Sequence, residues 1–336
     1  MKYNIEKSHC MDNSTIIISG PTASGKTALA IKLAQTLEMK WGYQSEIINA
    51  DSVQMYNELK ILTAYPSNEE LKQVKHNLFG ILTPYESSSV TSWLEKANKE
   101  LVRIHSAEKI AIVCGGTGFY IKALLNGVAN IPTIPEKIRE EVKKYFVEVG
   151  RDVFFTKLAE LDMESAKNLH KNDTQRILRA YEVAFYTGKP LSEWWKDTKA
   201  SRENDEIPII VLLPDKEKIR EHARTRIYKM IEKGAIEEVQ TFNEKYPNYI
   251  GPLQEVIGYR EICNFIRRKN IKSEDELIEQ IRVRTNQYIK RQSTWFRNKL
   301  KNAKFICDFG ENCAVNEIIE LIKKADKRKI IENGEY

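Results

Sequence analysis

The stretch "IIISGPTASGKTALAIKLA" (16–34) restricts the fold more than any other part of the chain. A β-branched run reads as a buried strand, a glycine-rich break follows, and apolar residues then recur at helical spacing. Within the break, Gly20-Pro21-Thr22-Ala23-Ser24-Gly25-Lys26-Thr27 fills the pattern G-x-x-x-x-G-K-[ST] in full. A strand before and a helix after are the setting this pattern requires. The glycines let backbone N–H groups turn inward as an anion nest, and the helix N-terminus adds partial positive charge. Lys26 can reach terminal phosphate oxygens and Thr27 can ligate Mg²⁺. The loop asks for a di- or triphosphate and says nothing of what the phosphates carry.

Three more apolar runs read as parallel strands, at Glu46–Ala50, Ile110–Cys114 and Ile207–Leu213, beside the first at Thr15–Ser19. Helical patterns separate the first three, as in βαβ units, so the expected fold is α/β with a P-loop-type parallel sheet. The first helix is expected from Lys26 to about Leu37. A hydrolytic P-loop protein usually adds a strand ending in a metal-binding Asp. The run "IAIVCGGTG" cannot serve, whereas "EIINADSVQMY" ends in Asp51. Asp51 is therefore a Mg²⁺ carboxylate in a kinase, a base beside a diphosphate, or a helix cap; ligand crevices form at such strand ends.

From Gly118 to about Glu206 the chain turns helical and charged, entered through Pro132 and Pro135, and reads as an insertion on the core. After Pro214 the pattern is helical almost to the end apart from "NEKYPNYIGP" (243–252), and the last residues read as a polar tail. The resulting division is 1–120 for the first part of the core, 121–205 for the helical insertion, 206–320 for the rest of the core with C-terminal helices, and 321–336 for the tail. The net charge of +6 is too mild to identify a nucleic-acid partner, but its distribution says more. Arg282 to Lys304 holds eight Lys/Arg and no acid, interleaved with Tyr288, Trp295 and Phe296. That pattern suits a phosphate backbone with stacked bases, or a solvated basic helix. Five cysteines without a CxxC suggest reduced, mostly buried thiols. Residues 1–14 lack a signal-peptide core and no apolar stretch approaches ~20 residues, so a cytoplasmic location is expected.

Several stretches read together add a resemblance. "GPTASGKT", "NADSVQMY", "GGTGFYIKALLNG", "NDTQRILRAYEV" with "TGKP", "IGYREI" and "KRQSTWFR" follow one another across residues 16 to 297. The chain resembles the bacterial tRNA dimethylallyltransferases (isopentenyltransferases). That resemblance implies a P-loop core, a helical insertion that contacts tRNA, Mg²⁺ on Thr27, and transfer of a dimethylallyl group from dimethylallyl diphosphate to N6 of the adenosine 3′ of the anticodon. It further implies that Gly20, Thr22, Ala23, Ser24, Gly25, Lys26 and Thr27 hold the diphosphate, that Asp51 is the general base, and that Arg226 in "REHARTRIYKM" reaches the diphosphate. Ser52, Val53 and Gln54 would lie beside the flipped base. Thr117, Arg139, Asn172, Asp173, Thr174, Gln175, Arg176, Gln254, Gly258, Tyr259, Arg260, Lys290, Arg291, Gln292, Trp295 and Arg297 match positions that contact the tRNA anticodon stem-loop. A monomer is expected.

Three departures stand out. Where the family commonly reads "HHLIDILDP" this chain has "HNLFGILTP" (76–84), and where it reads "DIGTAKP" there is "KILTAYP" (60–66). His76 and Tyr65 accordingly receive no role. An arginine often found four residues before Arg226 is here His222, and no zinc-finger tail of the eukaryotic kind is present. The alternatives are a prenyltransferase acting on free adenine nucleotides, disfavoured by the insertion, "IGYREI" and "KRQSTWFR"; a P-loop small-molecule kinase, weakened by the missing metal-binding third strand; and a non-catalytic RNA-binding protein, against which Lys26, Thr27 and Asp51 stand intact.

Overall fold

A computed structural model describes residues 15–196, 207–313 and 315–322. The expectations for Cys10 and for residues 323–336 of the tail lie outside these. The described chain divides into two compact units, one built from residues 1–124 and 204–336 and the other from residues 125–203.

The first unit is built on a six-stranded, all-parallel sheet in the order β3-β2-β4-β1-β5-β6. Its strands are β1 (Thr15–Ser19), β2 (Ser45–Asn49), β3 (Lys75–Asn77), β4 (Ile110–Gly115), β5 (Ile209–Leu212) and β6 (Lys304–Ile306). The helices in chain order are α1 (Lys26–Trp41), α2 (Asn68–Gln73), α3 (Val90–Ser106), α4 (Gly118–Asn126), α5 (Glu136–Leu161), α6 (Met163–Asn168), α7 (Thr174–Thr187), α8 (Leu191–Lys196), α9 (Lys216–Glu232), α10 (Ala235–Lys245), α11 (Tyr259–Ile266) and α12 (Glu274–Lys299). Ile16, Ile17 and Ile18 are wholly buried because β1 is central and covered on both faces. Leu29, Leu33 and Leu37 of α1 pack on one face with Ile318, Ile319 and Ile322 of the helix over residues 315–322. Each such side chain contributes about 1.5–3 kcal/mol.

Register decides where chemistry can occur. Ser19 pairs with Gly115 and Asn49 with Cys114, so β1, β4 and β2 end level with one another. Gly20, Gly116 and Asp51, each just past the end of its strand, therefore emerge at one edge, the crevice side of a doubly wound sheet.

Two short strands differ from the sequence reading. β3 and β6 fall where no strand is expected, and β6 interrupts the helical run after Pro214. Both are three-residue edge strands, too short to show a period of two, and their pairing partners β2 and β5 supply the reason for their conformation. β2 is shifted back by one residue, β5 is shorter at both ends than expected, and α1 continues beyond Leu37 to Trp41, where Gly42 ends it in the left-handed conformation.

The second unit holds helices and connecting loops, with no strand among its described residues, and has its own core, centred on Phe154, Leu158, Ile177 and Val183. Phe154 meets the rings of Phe146 and Tyr181 at 5.1 and 4.5 Å. Asp162, almost wholly buried, accepts hydrogen bonds from the backbone N–H groups of Ser165 and Ser192 and from both hydroxyls, which ties α6 to α8.

Candidate active site

The loop after β1 is wound as a nest: Ala23 and Gly25 have φ of 64° and 81°. Gly25 cannot carry a side chain, since a Cβ there would stand 2.8 Å from the Gly310 nitrogen, whose N–H donates to the Ser24 carbonyl at 3.0 Å. The Ser24 hydroxyl and Lys26 Nζ both donate to the Pro21 carbonyl, at 2.9 and 2.7 Å, so the lysine lies folded against its own loop. Arg226 from α9 donates to the Thr22 hydroxyl at 3.0 Å. His222, one turn earlier, bonds the Ala23 carbonyl through Nδ1 at 2.7 Å.

These cations are held in a poorly solvated place. Burial pushes the Lys26 ammonium below its ordinary pKa, opposed by the neighbouring Asp51 carboxylate. Burial likewise lowers the Arg226 guanidinium against the pull of Asp51. Burial raises the Cys114 thiol to about 12, which leaves it protonated and inert. Two desolvated cations beside N–H donors attract an anion strongly.

Asp51 follows β2. Its backbone N–H donates to Asn49 Oδ1 at 2.8 Å and its Oδ1 accepts from the Val53 N–H at 3.2 Å, which fixes the carboxylate without burying it fully. Thr117, after β4, accepts the Ser52 N–H at 3.0 Å and donates its own N–H to the Ala50 carbonyl. The loop residues Thr22, Ala23, Gly25, Lys26 and Thr27 line one cavity of about 720 Å³ with Asp51, Gln54 and Arg226, and its apolar wall includes Ile61, Tyr65, Phe79 and Met230, while Ser24 is buried beneath the loop.

Not every expected contact residue is free. Gln292 is buried inside α12, where its Oε1 accepts the Thr22 N–H at 2.8 Å and its Nε2 donates to the Gly116 carbonyl at 2.9 Å. It clamps the phosphate loop to the turn after β4. Gln54 donates its amide to the Thr63 and Ala64 carbonyls at 3.2 and 2.7 Å. Tyr259 is buried with its hydroxyl on Asn243, Gly258 is buried, Gln254 bonds the Tyr249 carbonyl, and Arg260 is exposed and paired with Glu255. Lys290, Arg291 and Arg297 project from α12 into solvent. Trp295 is half-buried, its ring filling the space that a Cβ on Gly118 would need.

The remaining candidates belong to the second unit. Arg139 lies on α5 with Nη1 3.4 Å from Glu136 and its Nε buried without a partner among the described residues. Asn172 and Thr174 accept from Arg151 at 2.8 and 3.4 Å, Asp173 caps α7, and Gln175 and Arg176 are exposed. His222, Met230, Tyr65 and Phe79 are cavity residues that the sequence reading left without roles. For the first two the signal was present, since 222, 226 and 230 share one face of a helix.

A glycine-containing nest at the open edge of a parallel sheet, with a carboxylate and an arginine lining the same cavity, defines a protein with a P-loop-like α/β fold. The chain belongs to the IPP transferase family, whose sequence model matches residues 54–299. It is 38% identical over 285 residues to the tRNA dimethylallyltransferase of Pelagibacter ubique (strain HTCC1062), covering 85% of this chain and 88% of that one. Among solved structures it resembles the full-length tRNA isopentenylpyrophosphate transferase of Bacillus halodurans, at 28% identity and a TM-score of 0.67 over 96% of this chain and 99% of that one. It also resembles a eukaryotic dimethylallyltransferase acting on tRNA, at 26% identity and a TM-score of 0.74 over 95% and 79% of the two chains. No helix among the described residues is long and apolar enough to cross a membrane.

Proposed function

We propose that the protein transfers a dimethylallyl group from dimethylallyl diphosphate to N6 of the adenosine 3′-adjacent to the anticodon in tRNA, releasing diphosphate. One observation carries the reading: a single cavity is lined by a diphosphate-type nest, a fixed carboxylate and an apolar wall. The apolar wall suits a hydrocarbon-bearing donor, and the kinase reading is separated by the assay below.

The N6 amine of adenine is a weak nucleophile because its lone pair is delocalised into the ring, so the donor must be made reactive. As the allylic C–O bond breaks, its electron pair leaves with the diphosphate. The N–H groups of the nest, Lys26 and Arg226 stabilise that growing charge in a preorganised, poorly solvated field. N6 bonds to the allylic carbon, becomes acidic, and gives its proton to the Asp51 carboxylate, a contribution of ~10²–10⁴ in rate. The residues fit Mg²⁺: Thr27 lines the cavity beside Lys26 and Asp51, and a hydroxyl there suits a hard cation that otherwise takes waters and ligand phosphates. Thr27 would hold it, and the ion would neutralise the leaving diphosphate.

The acceptor reading draws on the relatives' names and on the exposed cations of α12. Lys290, Arg291 and Arg297 would grip loop phosphates, with Arg139 and Asn172–Arg176 of the second unit, Thr117 and "IGYREI" adding further contacts. The adenosine must leave its stack to reach Asp51, at a few kcal/mol. With a tRNA acceptor the reading expects a cytoplasmic enzyme, and a monomer is kept as the expectation. The test is to incubate protein, Mg²⁺ and labelled dimethylallyl diphosphate with tRNA or with AMP. Label in tRNA is expected. Label in AMP would instead identify a free-nucleotide prenyltransferase, and ATP turnover with no label transferred would identify a kinase.

A further inference from the structure

The strand that carries the phosphate loop and the strand that carries Asp51 are not neighbours, because β4 lies between β1 and β2 in the sheet. Two strand spacings, about 10 Å, separate them, and no ladder bond joins them directly. Past the strand ends the link is made by one side chain and one turn. Gln292 of α12, almost wholly buried, accepts the Thr22 N–H through Oε1 at 2.8 Å and donates from Nε2 to the Gly116 carbonyl at 2.9 Å. A donor at one end and an acceptor at the other allow only one orientation of the amide. The connection continues through the next residue. The Thr117 N–H donates to the Ala50 carbonyl at 3.0 Å and the Thr117 hydroxyl accepts the Ser52 N–H at 3.0 Å, which grips the backbone on both sides of Asp51. Space is tight where these parts meet: a Cβ on Gly116 would stand 2.8 Å from Gln292 Nε2, 3.3 Å from Asp51 Oδ2 and 3.5 Å from the Gly20 carbonyl oxygen.

We infer that Gln292 is a positioning residue for the transfer: it sets the span between the loop that takes the leaving diphosphate and the carboxylate that takes the proton, and it does so without touching RNA. This rests on the transferase reading, in which the bond that breaks and the proton that leaves are handled from opposite sides of one gap. An error in the span is then felt at both ends, and about 1 Å of misplacement costs ~10²-fold in rate. A doubly bonded amide suits the task better than an apolar contact, because hydrogen bonds fix two backbone points in direction as well as in distance. Lys290 and Arg291 precede Gln292 in the same helix and are exposed, so one turn of α12 presents cations outward and the clamp inward. The two sets should therefore move different measurements.

Single-turnover transfer at saturating dimethylallyl diphosphate and tRNA is compared with calorimetric affinities for pyrophosphate and for tRNA. Gln292→Ala should lower the saturated rate by about tenfold to a hundredfold and move either affinity by less than about threefold. Gly116→Ala removes no functional group and should produce a like loss by displacing the amide. With Gln292→Ala already in place the added methyl has room, so the double variant should fall no more than about twofold below Gln292→Ala alone. Melting curves establish that each variant is folded, and Gln292→Met, which keeps the length and removes both bonds, serves where Gln292→Ala does not fold. In native protein without ligand the Thr22 amide should exchange slowly, a measurement that needs no variant. An unchanged saturated rate in either single variant, losses that multiply in the double variant, or a rapidly exchanging Thr22 amide would overturn the inference. So would a loss confined to tRNA affinity, because Gln292 would then be touching RNA, or a rate and a pyrophosphate affinity that fall in step, because it would then be holding the nest together and not setting the span. Native protein that transfers no label to tRNA overturns the transferase reading and this one with it. Native protein that transfers label while both single variants keep the saturated rate overturns this one alone.

Discussion

Asp51 admits two chemistries that a single substitution separates. As a base it must accept a proton, and Asp51→Asn, which keeps size and hydrogen bonding, should cut single-turnover transfer by about two to four decades with donor and tRNA affinities nearly unchanged. As a metal ligand its loss would weaken Mg²⁺-dependent donor binding, and high Mg²⁺ would restore part of the rate. Rescue across a Mg²⁺ titration would remove Asp51 as the base. Lys26→Ala withdraws a cation from the leaving diphosphate and should lower the transfer rate by about 10²-fold or more. The sequence made Lys26, Thr27 and Asp51 legible because loop chemistry is local: the glycines, the lysine and the strand end are neighbours in the chain. Gln292 was legible as a candidate but not in its place. Its two bonds reach Thr22 and Gly116, and nothing in "KRQSTWFR" announces which face of the helix turns inward.

At the scale of elements, α12 has two characters on one cylinder. Leu277, Ile278, Ile281, Ile289 and Phe296 are buried, while Lys290, Arg291 and Arg297 are exposed. Replacing those three cations with alanine should weaken tRNA binding and flatten its salt dependence by roughly one unit of slope for each phosphate no longer neutralised, with donor affinity unmoved. Unchanged tRNA binding at several salt concentrations would reduce the segment to a solvated face. The helices were readable because their periodicity is carried over many turns; β3 and β6 were not, because a three-residue edge strand takes its conformation from a neighbour far along the chain. Beside β3, Glu46 shows how such a junction balances burial against pairing. Burial disfavours its charge, but hydrogen bonds from Arg103, Asn77, Lys109 and Lys75 prevail and hold its carboxyl at about 2. A carboxyl depressed on folding stabilises above its ordinary value near 4.5, and that contribution is lost as pH falls towards 2. Acid titration of stability should therefore be shallower over that window in Glu46→Gln, and an unaltered slope would show the cluster to be energetically idle.

For the whole molecule, the division into two units makes a statement about ligands. All lining residues of the candidate cavity come from the first unit, while the second has its own aromatic core around Phe154. A small anion should therefore report on the first unit alone. Pyrophosphate at a hundred times its dissociation constant adds about 2.7 kcal/mol to whatever binds it, which for a unit of this size raises the melting temperature by several degrees. Amide exchange should slow first around residues 20–28, 51–54 and 222–233, the segments that form the nest, the carboxylate turn and the arginine face of α9. Protection arising first within residues 125–203 would put the anion site elsewhere and remove the basis for the donor assignment. Dimethylallyl diphosphate should exceed pyrophosphate in the same measurement, because its tail gains the apolar wall. ATP offers the same phosphates with a nucleoside in place of the prenyl tail. If ATP stabilises the first unit more than dimethylallyl diphosphate does and is hydrolysed, the phosphates are being consumed as in a kinase, and Asp51 returns to the metal.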